Sequence, residues 1–204
     1  MVERIGKVLA DPSPAQPLIG TDPHSAKKTR GRLGSVSPLS DIRVQCPRDR
    51  GEFMERIEIR EAARGDAPAI AEIHLTARRE AMPYLHRPHT DDDARAYFAR
   101  VVGDRPSAWW VARVEDQIVG FMLIDGKDTD HLYVRPGWQR RGIGLFLLNK
   151  AKALSPQRLE LWAFQRNTNA RAFYEAQGFR AVAYTDGRNE ENEPDVKYAW
   201  EPAR

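Results

Sequence analysis

The sequence predicts an α/β protein built on one sheet of mixed strand direction. Segments with apolar residues at every second position alternate with segments of helical spacing, in the order β-α-α-β-β-β-α-β-α-β-β. The length of 204 residues and the hydrophobic share of 41% suit a single domain with one core. This pattern runs from about residue 57 to residue 200.

The first two elements have clear boundary signals. Apolar and charged residues alternate from Ile57 to Ala62, which predicts the first strand. Asp66 is typical of a helix cap and Pro68 of a first helical turn, so a helix is predicted next. The loop at 82–88, which contains two prolines, ends that helix.

An acidic cluster follows this loop. Thr90 and the aspartates at 91–93 place a cap and three carboxylates at the positive end of a second helix, which continues to about Val102. The cluster is therefore more typical of a helix start than of a metal site. Three strands are predicted next, the first two joined by a short polar hairpin connection. They occupy residues 108–114, 117–125 and 129–135.

The C-terminal part continues with two helices and three strands. Gly178 suits the left-handed stop that ends the second of these helices. The last two strands flank a polar, acidic loop. In chain order the elements occupy residues 142–154, 158–164, 168–177, 179–185 and 196–200.

Charge and composition separate an N-terminal arm from the domain. Residues 1–53 hold nine Lys/Arg, six Asp/Glu and six of the 14 prolines, whereas residues 54–204 carry no net charge. We expect a disordered arm or a spurious N-terminal extension at 1–53 and a folded domain at 54–204. A weak polyanion-binding tail is the alternative for the arm. The neutral domain predicts no nucleic-acid partner.

Other function classes are disfavoured by what the sequence lacks. No apolar run is long enough to cross a bilayer, and no secretory pattern is visible, so we expect a cytoplasmic protein without a membrane partner. Cys46 is the only cysteine, which excludes a disulfide framework and a cysteine-rich metal site. No metal is expected.

The segment most indicative of function is the turn between the strand at 129–135 and the next helix. It reads Gln139-Arg140-Arg141-Gly142-Ile143-Gly144. Glycines let a backbone approach a ligand closely, and a helix start offers unpaired amides and a positive dipole end, which together suit a pyrophosphate. A Walker loop would need Lys-Ser or Lys-Thr after its second glycine, and a dinucleotide fold would need a third glycine.

At this turn the chain resembles the GNAT superfamily of acyl-CoA-dependent N-acetyltransferases. The six residues at 139–144 match the family's Gln/Arg-x-x-Gly-x-Gly/Ala loop, and residues 167–179 look like its N-x-x-A-x-x-F-Y-E-x-x-G-F segment. The resemblance covers residues 57–200. It implies a mixed, mostly antiparallel sheet flanked by helices.

The resemblance also implies a site for acetyl-CoA as co-substrate. The strand entering the loop would separate from the strand at 158–164, and the pantetheine arm would lie between them. Asn167 would bond near the pantetheine end, and the Tyr174 hydroxyl would point at the thioester sulfur. The loop amides would hold the pyrophosphate. The full set of implied cofactor-binding residues is Leu132, Tyr133, Val134, Gln139, Arg140, Arg141, Gly142, Ile143, Gly144, Asn167 and Tyr174.

The expected reaction is direct attack of a primary amine, on a small molecule or peptide, at the thioester carbonyl. The Val134 amide would hold the oxyanion. Tyr174 is the candidate general acid for the departing thiolate. Asp128 and Asp130 are candidates to remove the amine proton through water, because two-residue alternation places them on one side of the strand with Leu132. His131 then falls on the other side, where a hydrogen-bonded, partly buried histidine is expected.

The acceptor is not identified by these residues. Relatives that acetylate protein N-termini carry Glu twelve positions before the tyrosine, where this chain has Trp162, which disfavours that activity. The acidic loop at 190–195 either attracts a cationic amine or is only a soluble connection. The alternative function is a catalytically silent acyl-CoA sensor or partner-binding domain, and homodimer formation is left open. Aromatic candidates for the pocket wall are Tyr84, Trp109, Trp110, Trp162 and Phe164.

Overall fold

The computed structural model describes residues 56–104 and 108–203, so the N-terminal arm at 1–53 lies outside the described residues. Over these residues the predicted order of seven strands and four helices is confirmed, with one added 3-10 turn at Arg64–Asp66. The elements are β1 (Ile57–Glu61), α1 (Ala67–Ala81), α2 (Asp91–Val101), β2 (Trp109–Val114), β3 (Gln117–Asp125), β4 (Asp128–Val134), α3 (Ile143–Leu154), β5 (Leu159–Phe164), α4 (Thr168–Ala176), β6 (Arg180–Tyr184) and β7 (Asp195–Trp200).

The strands form one sheet in the order β1-β2-β3-β4-β5-β7-β6. Each neighbouring pair is antiparallel except β4 and β5, which run parallel because α3 connects them. The predicted mixed, mostly antiparallel sheet is therefore confirmed. Its one parallel pair lies at the centre.

Helices cover both faces of the sheet, so the core has two halves. We call these the α1–α2 face, where Ile73 and Phe98 pack on Phe121 and Tyr133, and the α3–α4 face, where Leu147 and Tyr174 pack with Leu161. From Phe121 to Ile124 the side chains of β3 alternate between the faces: Phe121 and Leu123 belong to the first, and Met122 and Ile124 belong to the second.

Pro68 lies in the first turn of α1 as predicted, and two of the three predicted cap and stop residues act as expected. The Thr90 side chain caps α2 by accepting a hydrogen bond from the Asp93 amide at 3.1 Å. Gly178 takes the left-handed conformation after α4, with φ of 84°. Asp66 precedes α1 but does not cap it with its side chain. Its carboxylate instead binds the Arg60 guanidinium at 2.7 and 3.0 Å, and this pair lowers the pKa of Asp66.

A bulge in β4 corrects the predicted facing of its aspartates. Leu123 pairs with His131 and Ile124 with Thr129, so Asp130 is an extra residue without a position opposite it on β3. Thr129 therefore shares the α3–α4 face with Ile124, which turns Asp128 to the other face. Asp130 acts electrostatically on Tyr97 of α2. The prediction that Asp128 and Asp130 share a side with Leu132 is wrong, because one extra residue reverses the alternation.

A buried carboxylate fixes the point where β4 and β5 meet. Glu160 on β5 is 4% exposed, and its carboxylate lies 2.7 Å from both Lys197 Nζ and Arg158 Nε and 3.0 Å from Lys127 Nζ. Hydrogen bonding to Lys197, ahead of that to Arg158 and Lys127, lowers the pKa of Glu160 to about 2. The charge therefore persists at all ordinary pH values and ties β5 to β7 and to the β3–β4 turn.

Candidate active site

The central parallel pair separates soon after it forms. β4 and β5 pair at two positions only, Asp128 with Glu160 and Thr129 with Leu161. Both strands then continue, β4 to Val134 and β5 to Phe164, without further pairing to each other in the described part of the chain. A wedge-shaped gap therefore opens in the middle of the sheet, and we call it the β4–β5 gap.

Backbone groups of β4 face this gap at alternate residues. The Arg135 amide donates to the Val119 carbonyl on β3 at 2.8 Å. Since successive residues of a strand direct their amides to opposite edges, Tyr133 also faces β3, whereas Leu132 and Val134 face the gap. Of the three residues expected to pair with a cofactor, only Leu132 and Val134 have their amides on the correct edge.

The loop after β4 has the geometry of an anion site. Arg140 and Gly142 have positive φ of 62° and 85°, a conformation that curves successive amides around a concave surface. The first helical bond of α3 runs from the Phe146 amide to the Gly142 carbonyl at 3.0 Å, which leaves the amides of residues 143–145 without a helical acceptor. Arg140 and Arg141 are exposed beside them. The loop could therefore hold a pyrophosphate.

Other side chains shape this loop. The Gln139 side-chain oxygen accepts a hydrogen bond from the Gly137 amide at 2.8 Å, which closes the turn. The Arg141 guanidinium lies 4.8 Å from the centre of the Trp138 ring. A Cβ placed on Gly144 would lie 3.5 Å from Phe173 and 3.8 Å from Val134, so this position borders the gap.

Asn167 stands at the start of α4 with one half of its amide unpaired. Its Oδ1 accepts a hydrogen bond from the Ala170 amide at 3.2 Å, so the side chain caps the helix. Its Nδ2 is buried and has no hydrogen-bond partner among the described residues. Because a buried donor is costly without an acceptor, this atom fits a ligand carbonyl such as those of pantetheine.

Tyr174 lies fully inside the α3–α4 half of the core, with 0% exposure. Its ring contacts Phe173, Phe179 and Tyr198 at centroid distances of 5.2, 5.7 and 6.2 Å. Burial raises the pKa of its hydroxyl, so the proton is held at ordinary pH. A group that keeps its proton until a strong base forms beside it suits a general acid.

A cleft lies on the opposite, α1–α2 face of the sheet. It is bounded by α1, α2, the α1–α2 loop and the β6–β7 loop, with His131 of β4 in its wall. Tyr97 and Phe98 contribute its aromatic wall. None of the five aromatic residues expected from the sequence lines it. Trp109 and Trp110 are core residues, and Phe164 packs with Met82 and Leu85.

The acidic β6–β7 loop turns most of its carboxylates inward. Glu191 pairs with Arg78 at 3.2 Å, and Glu193 pairs with Arg166 at 3.4 Å. Of these four side chains, only Arg166 is largely exposed. The loop therefore anchors itself to α1 and to the end of β5. Glu190, 3.2 Å from His89, remains at the cleft rim.

A central strand pair that separates beside a helix start with unpaired amides is the arrangement implied by the resemblance to N-acetyltransferases. Comparison with known proteins identifies the same class.

A family model described as an acetyltransferase (GNAT) domain matches residues 105–181. The peptidyl-lysine N-acetyltransferase YiaC of Escherichia coli K12 is 32% identical over 129 residues, which cover 61% of this chain and 84% of YiaC. The probable N-acetyltransferase Rv2775 of Mycobacterium tuberculosis H37Rv is 30% identical over 162 residues, covering 72% of this chain and 86% of that protein.

The chain belongs to the GNAT family and is an N-acetyltransferase. Solved structures show the same fold. The solution structure of apo YjaB from Escherichia coli superposes with a TM-score of 0.62 at 24% identity, covering 72% of this chain and 99% of YjaB. The PaiA N-acetyltransferase of Thermoplasma acidophilum, solved with coenzyme A, gives 0.53 at 15% identity, with 72% and 99% coverage.

The described residues contain neither a membrane-spanning helix nor a cluster of metal-ligating side chains. Within residues 56–104 and 108–203, no helix combines the length and apolar character needed to cross a membrane. The same residues contain no group of three or more His, Cys, Asp or Glu side chains placed to hold a metal ion.

Proposed function

We propose that the protein transfers the acetyl group of acetyl-CoA to a primary amine carried by a peptide or a small molecule. The observation that carries this proposal is the β4–β5 gap with the amide-rich loop at its end. One site can then accept an extended pantetheine arm and a pyrophosphate. The silent acyl-CoA sensor is not favoured, because relatives with substantial sequence identity are named N-acetyltransferases.

The proposed cofactor contacts combine backbone and side-chain donors. The amides of Leu132 and Val134 bind the pantetheine arm from one side of the gap. The loop amides of residues 139–144 bind the pyrophosphate, with Arg140 and Arg141 adding positive charge. Asn167 Nδ2 donates to an arm carbonyl. Tyr133, whose backbone faces β3, contributes its ring to the core instead.

The proposed chemistry is one acyl transfer. The amine nitrogen attacks the thioester carbonyl carbon, the oxyanion receives a hydrogen bond from the Val134 amide, and the C–S bond then breaks. The departing thiolate takes the proton of the Tyr174 hydroxyl, and the tyrosinate regains a proton, through water, from the acylated nitrogen as that nitrogen becomes a neutral amide. Asp130, whose charge acts on Tyr97 of the α1–α2 face, takes up through water the proton that the incoming ammonium loses.

A substitution at Asn167 separates its two roles. Aspartate is an equally good helix cap, so Asn167→Asp retains the Oδ1 bond to Ala170 but removes the Nδ2 donor. We expect the dissociation constant for acetyl-CoA to rise about tenfold, or about 1.4 kcal/mol, in a variant that still folds with α4 capped. Calorimetric titration measures the affinity.

Thr168→Asp is the matched control for Asn167→Asp. It places the same charge one residue later, at an exposed position of α4. An equal loss of affinity in both variants would attribute the effect to charge repulsion and would remove Asn167 from the cofactor contacts.

The proposed acceptor is the side-chain amine of a peptidyl lysine. Support comes from the names of YiaC and of YjaB, peptidyl-lysine N-acetyltransferases of enteric bacteria. Trp162, in place of the glutamate of N-terminal acetyltransferases, is half-buried beside Lys197 and offers no carboxylate. A cytoplasmic location and a homodimer remain predictions.

Thiol release from acetyl-CoA tests the acceptor. The panel contains lysine peptides with blocked N-termini, peptides with free N-termini and no lysine, polyamines, amino acids and aminoglycosides. We expect turnover with the blocked lysine peptides. Turnover confined to the lysine-free peptides or to aminoglycosides would overturn the lysine assignment, and cofactor binding without turnover on any amine would favour the sensor.

A further inference from the structure

Two buried histidines meet at the wall of the cleft. His131 on β4 is 0% exposed and His74 on α1 is 3% exposed, with ring centroids 5.8 Å apart in an edge-on arrangement. Both rings line the cleft. Nδ1 of His74 and both ring nitrogens of His131 have no hydrogen-bond partner among the described residues. The hydrogen-bonded, partly buried histidine expected at position 131 is therefore not what the fold contains.

The ring contacts of the pair within the described part of the chain are aromatic. His131 stacks on Trp109 at 5.6 Å, and His74 contacts Phe98 and Tyr133, each at 5.0 Å. Buried polar atoms in proteins are generally hydrogen-bonded, and leaving one unpaired costs on the order of 1–3 kcal/mol. A purely structural position would be filled better by Phe or Leu. Three unpaired nitrogens at a cleft wall therefore indicate a polar ligand.

The pair is uncharged at ordinary pH. Burial, and next the charge of Arg78, lower the pKa of His131 to about 3 and that of His74 well below its usual value. Each neutral ring keeps one lone pair with which to accept a hydrogen bond. The titratable and charged groups around the pair, from every element bounding the cleft, are Arg78 on α1, Arg87 and His89 on the α1–α2 loop, Tyr97 on α2, Asp130 on β4 and Glu191 on the β6–β7 loop.

The pair also lies at the gap where the cofactor is proposed to bind. His131 is adjacent to Leu132 and lies two residues beyond Thr129, the last β4 residue that pairs with β5. The two side chains of this dipeptide face opposite sides of the sheet. A thioester that enters the gap from the α3–α4 face is thus presented to a group held at His131 on the α1–α2 face.

We propose that His131 and His74 form the binding site for the acceptor's amino group and hold it as the neutral amine, with their ring nitrogens accepting its N–H bonds. This inference rests on the proposed acetyl transfer and names the groups that select its acceptor. The low polarity that keeps both imidazoles neutral, together with the Arg78 charge, also disfavours an ammonium at this point. The extra proton passes through water to Asp130, and the lone pair needed for attack is free.

Steady-state kinetics on His131 variants tests the assignment, with the best acceptor of the panel. His131→Phe retains a flat ring without acceptors, and His131→Gln restores an acceptor oxygen. We expect His131→Phe to raise KM for the amine at least tenfold and leave KM for acetyl-CoA unchanged, with His131→Gln between it and wild type. His86→Phe, at an exposed position of the α1–α2 loop outside the cleft, is the matched control and should not change either constant.

The pH profile separates amine binding from base catalysis. A neutral pair that does not titrate predicts a kcat/KM for the amine that rises with pH up to the pKa of the free amine, without a break between pH 6 and 7. A break in that range that disappears in His131→Gln would show His131 acting as a titrating base and would overturn the proposal. Unchanged amine KM in His131→Phe would overturn it too, while acetyl transfer itself would stand.

A binding measurement does not depend on turnover. In protein with ¹⁵N-labelled histidine, n-butylamine titrated at pH 9 should shift the imidazole nitrogen signals of His131 and His74 and leave those of His86 unchanged. Chemical shifts of the two imidazoles that change with the concentration of neutral amine would support the site. This result would hold even if the His131→Phe variant proved too unstable for kinetics. An absence of shifts at saturating amine, with acetyl-CoA bound, would refute it.

Discussion

Tyr174→Phe is expected to reduce turnover roughly a hundredfold, the usual scale for loss of a general acid. The substitution removes one hydroxyl from a ring that is otherwise fully packed, so the core and the cofactor affinity should change little. The loss should therefore appear in kcat, while KM for acetyl-CoA stays close to its wild-type value. Initial rates of thiol release with a lysine peptide measure both constants.

Tyr198→Phe provides the matched control. Tyr198 is also a fully buried tyrosine of the same core half, and its hydroxyl donates to Glu175 at 2.5 Å. We expect some loss of stability and near wild-type turnover. Equal losses of kcat in the two variants would mean that core packing, not proton transfer, explains the Tyr174 effect. A solvent isotope effect would first establish that proton transfer is rate-limiting. If Tyr174→Phe then kept the wild-type kcat, water would be the general acid instead of Tyr174.

Gly142→Val should raise the dissociation constant for acetyl-CoA at least tenfold, about 1.4 kcal/mol. Gly142 caps α3 with φ of 85°, a conformation that costs a β-branched residue about 1–2 kcal/mol. Its new Cβ would lie 3.3 Å from the Phe146 ring, so the ring or the loop backbone must shift, and the strained backbone at position 142 is expected to displace the loop amides. Isothermal titration with acetyl-CoA measures the change, and circular dichroism confirms that the variant is folded.

Gly126→Val is the control for backbone strain alone. Gly126 also has a positive φ, 60°, but lies in the β3–β4 turn, and a Cβ there would have no neighbour within 4 Å. Both variants should unfold at lower temperature, but only Gly142→Val should lose affinity. Unchanged affinity in a folded Gly142→Val variant would show that the loop does not bind the pyrophosphate.

Local signals in the sequence predicted most of the fold. Thr90 and Gly178 act on neighbouring backbone groups, and the order of apolar periods fixes which elements are strands and helices. These effects need no knowledge of distant residues. The loop at 139–144 was predicted for the same reason, because a strand, a turn with glycines and a helix are contiguous in the chain.

Features that depend on partners far away in sequence were not predictable. The bulge at Asp130 exists because β3 pairs with β4 in a shifted register, so alternation along β4 alone gave the wrong face. The unpaired nitrogens of His74 and His131 depend on how α1 packs against the sheet. The inward turn of Glu191 depends on Arg78, 113 positions earlier. The available signal for His74 was its position at the helical spacing of the apolar residues of α1, but core packing explains that position equally well.

The proposed cofactor site is built largely from main-chain amides, and this has a consequence for sequence drift. Amides are supplied by every residue type but proline, so most side-chain exchanges in the loop at 139–144 preserve the donors, provided that positions 140 and 142 keep their left-handed turns. Insertion or deletion of one residue would redirect all the amides at once. Loop length and the left-handed backbone positions therefore determine binding more than residue identity does. Sequence alignments of such enzymes should keep this loop free of insertions and deletions.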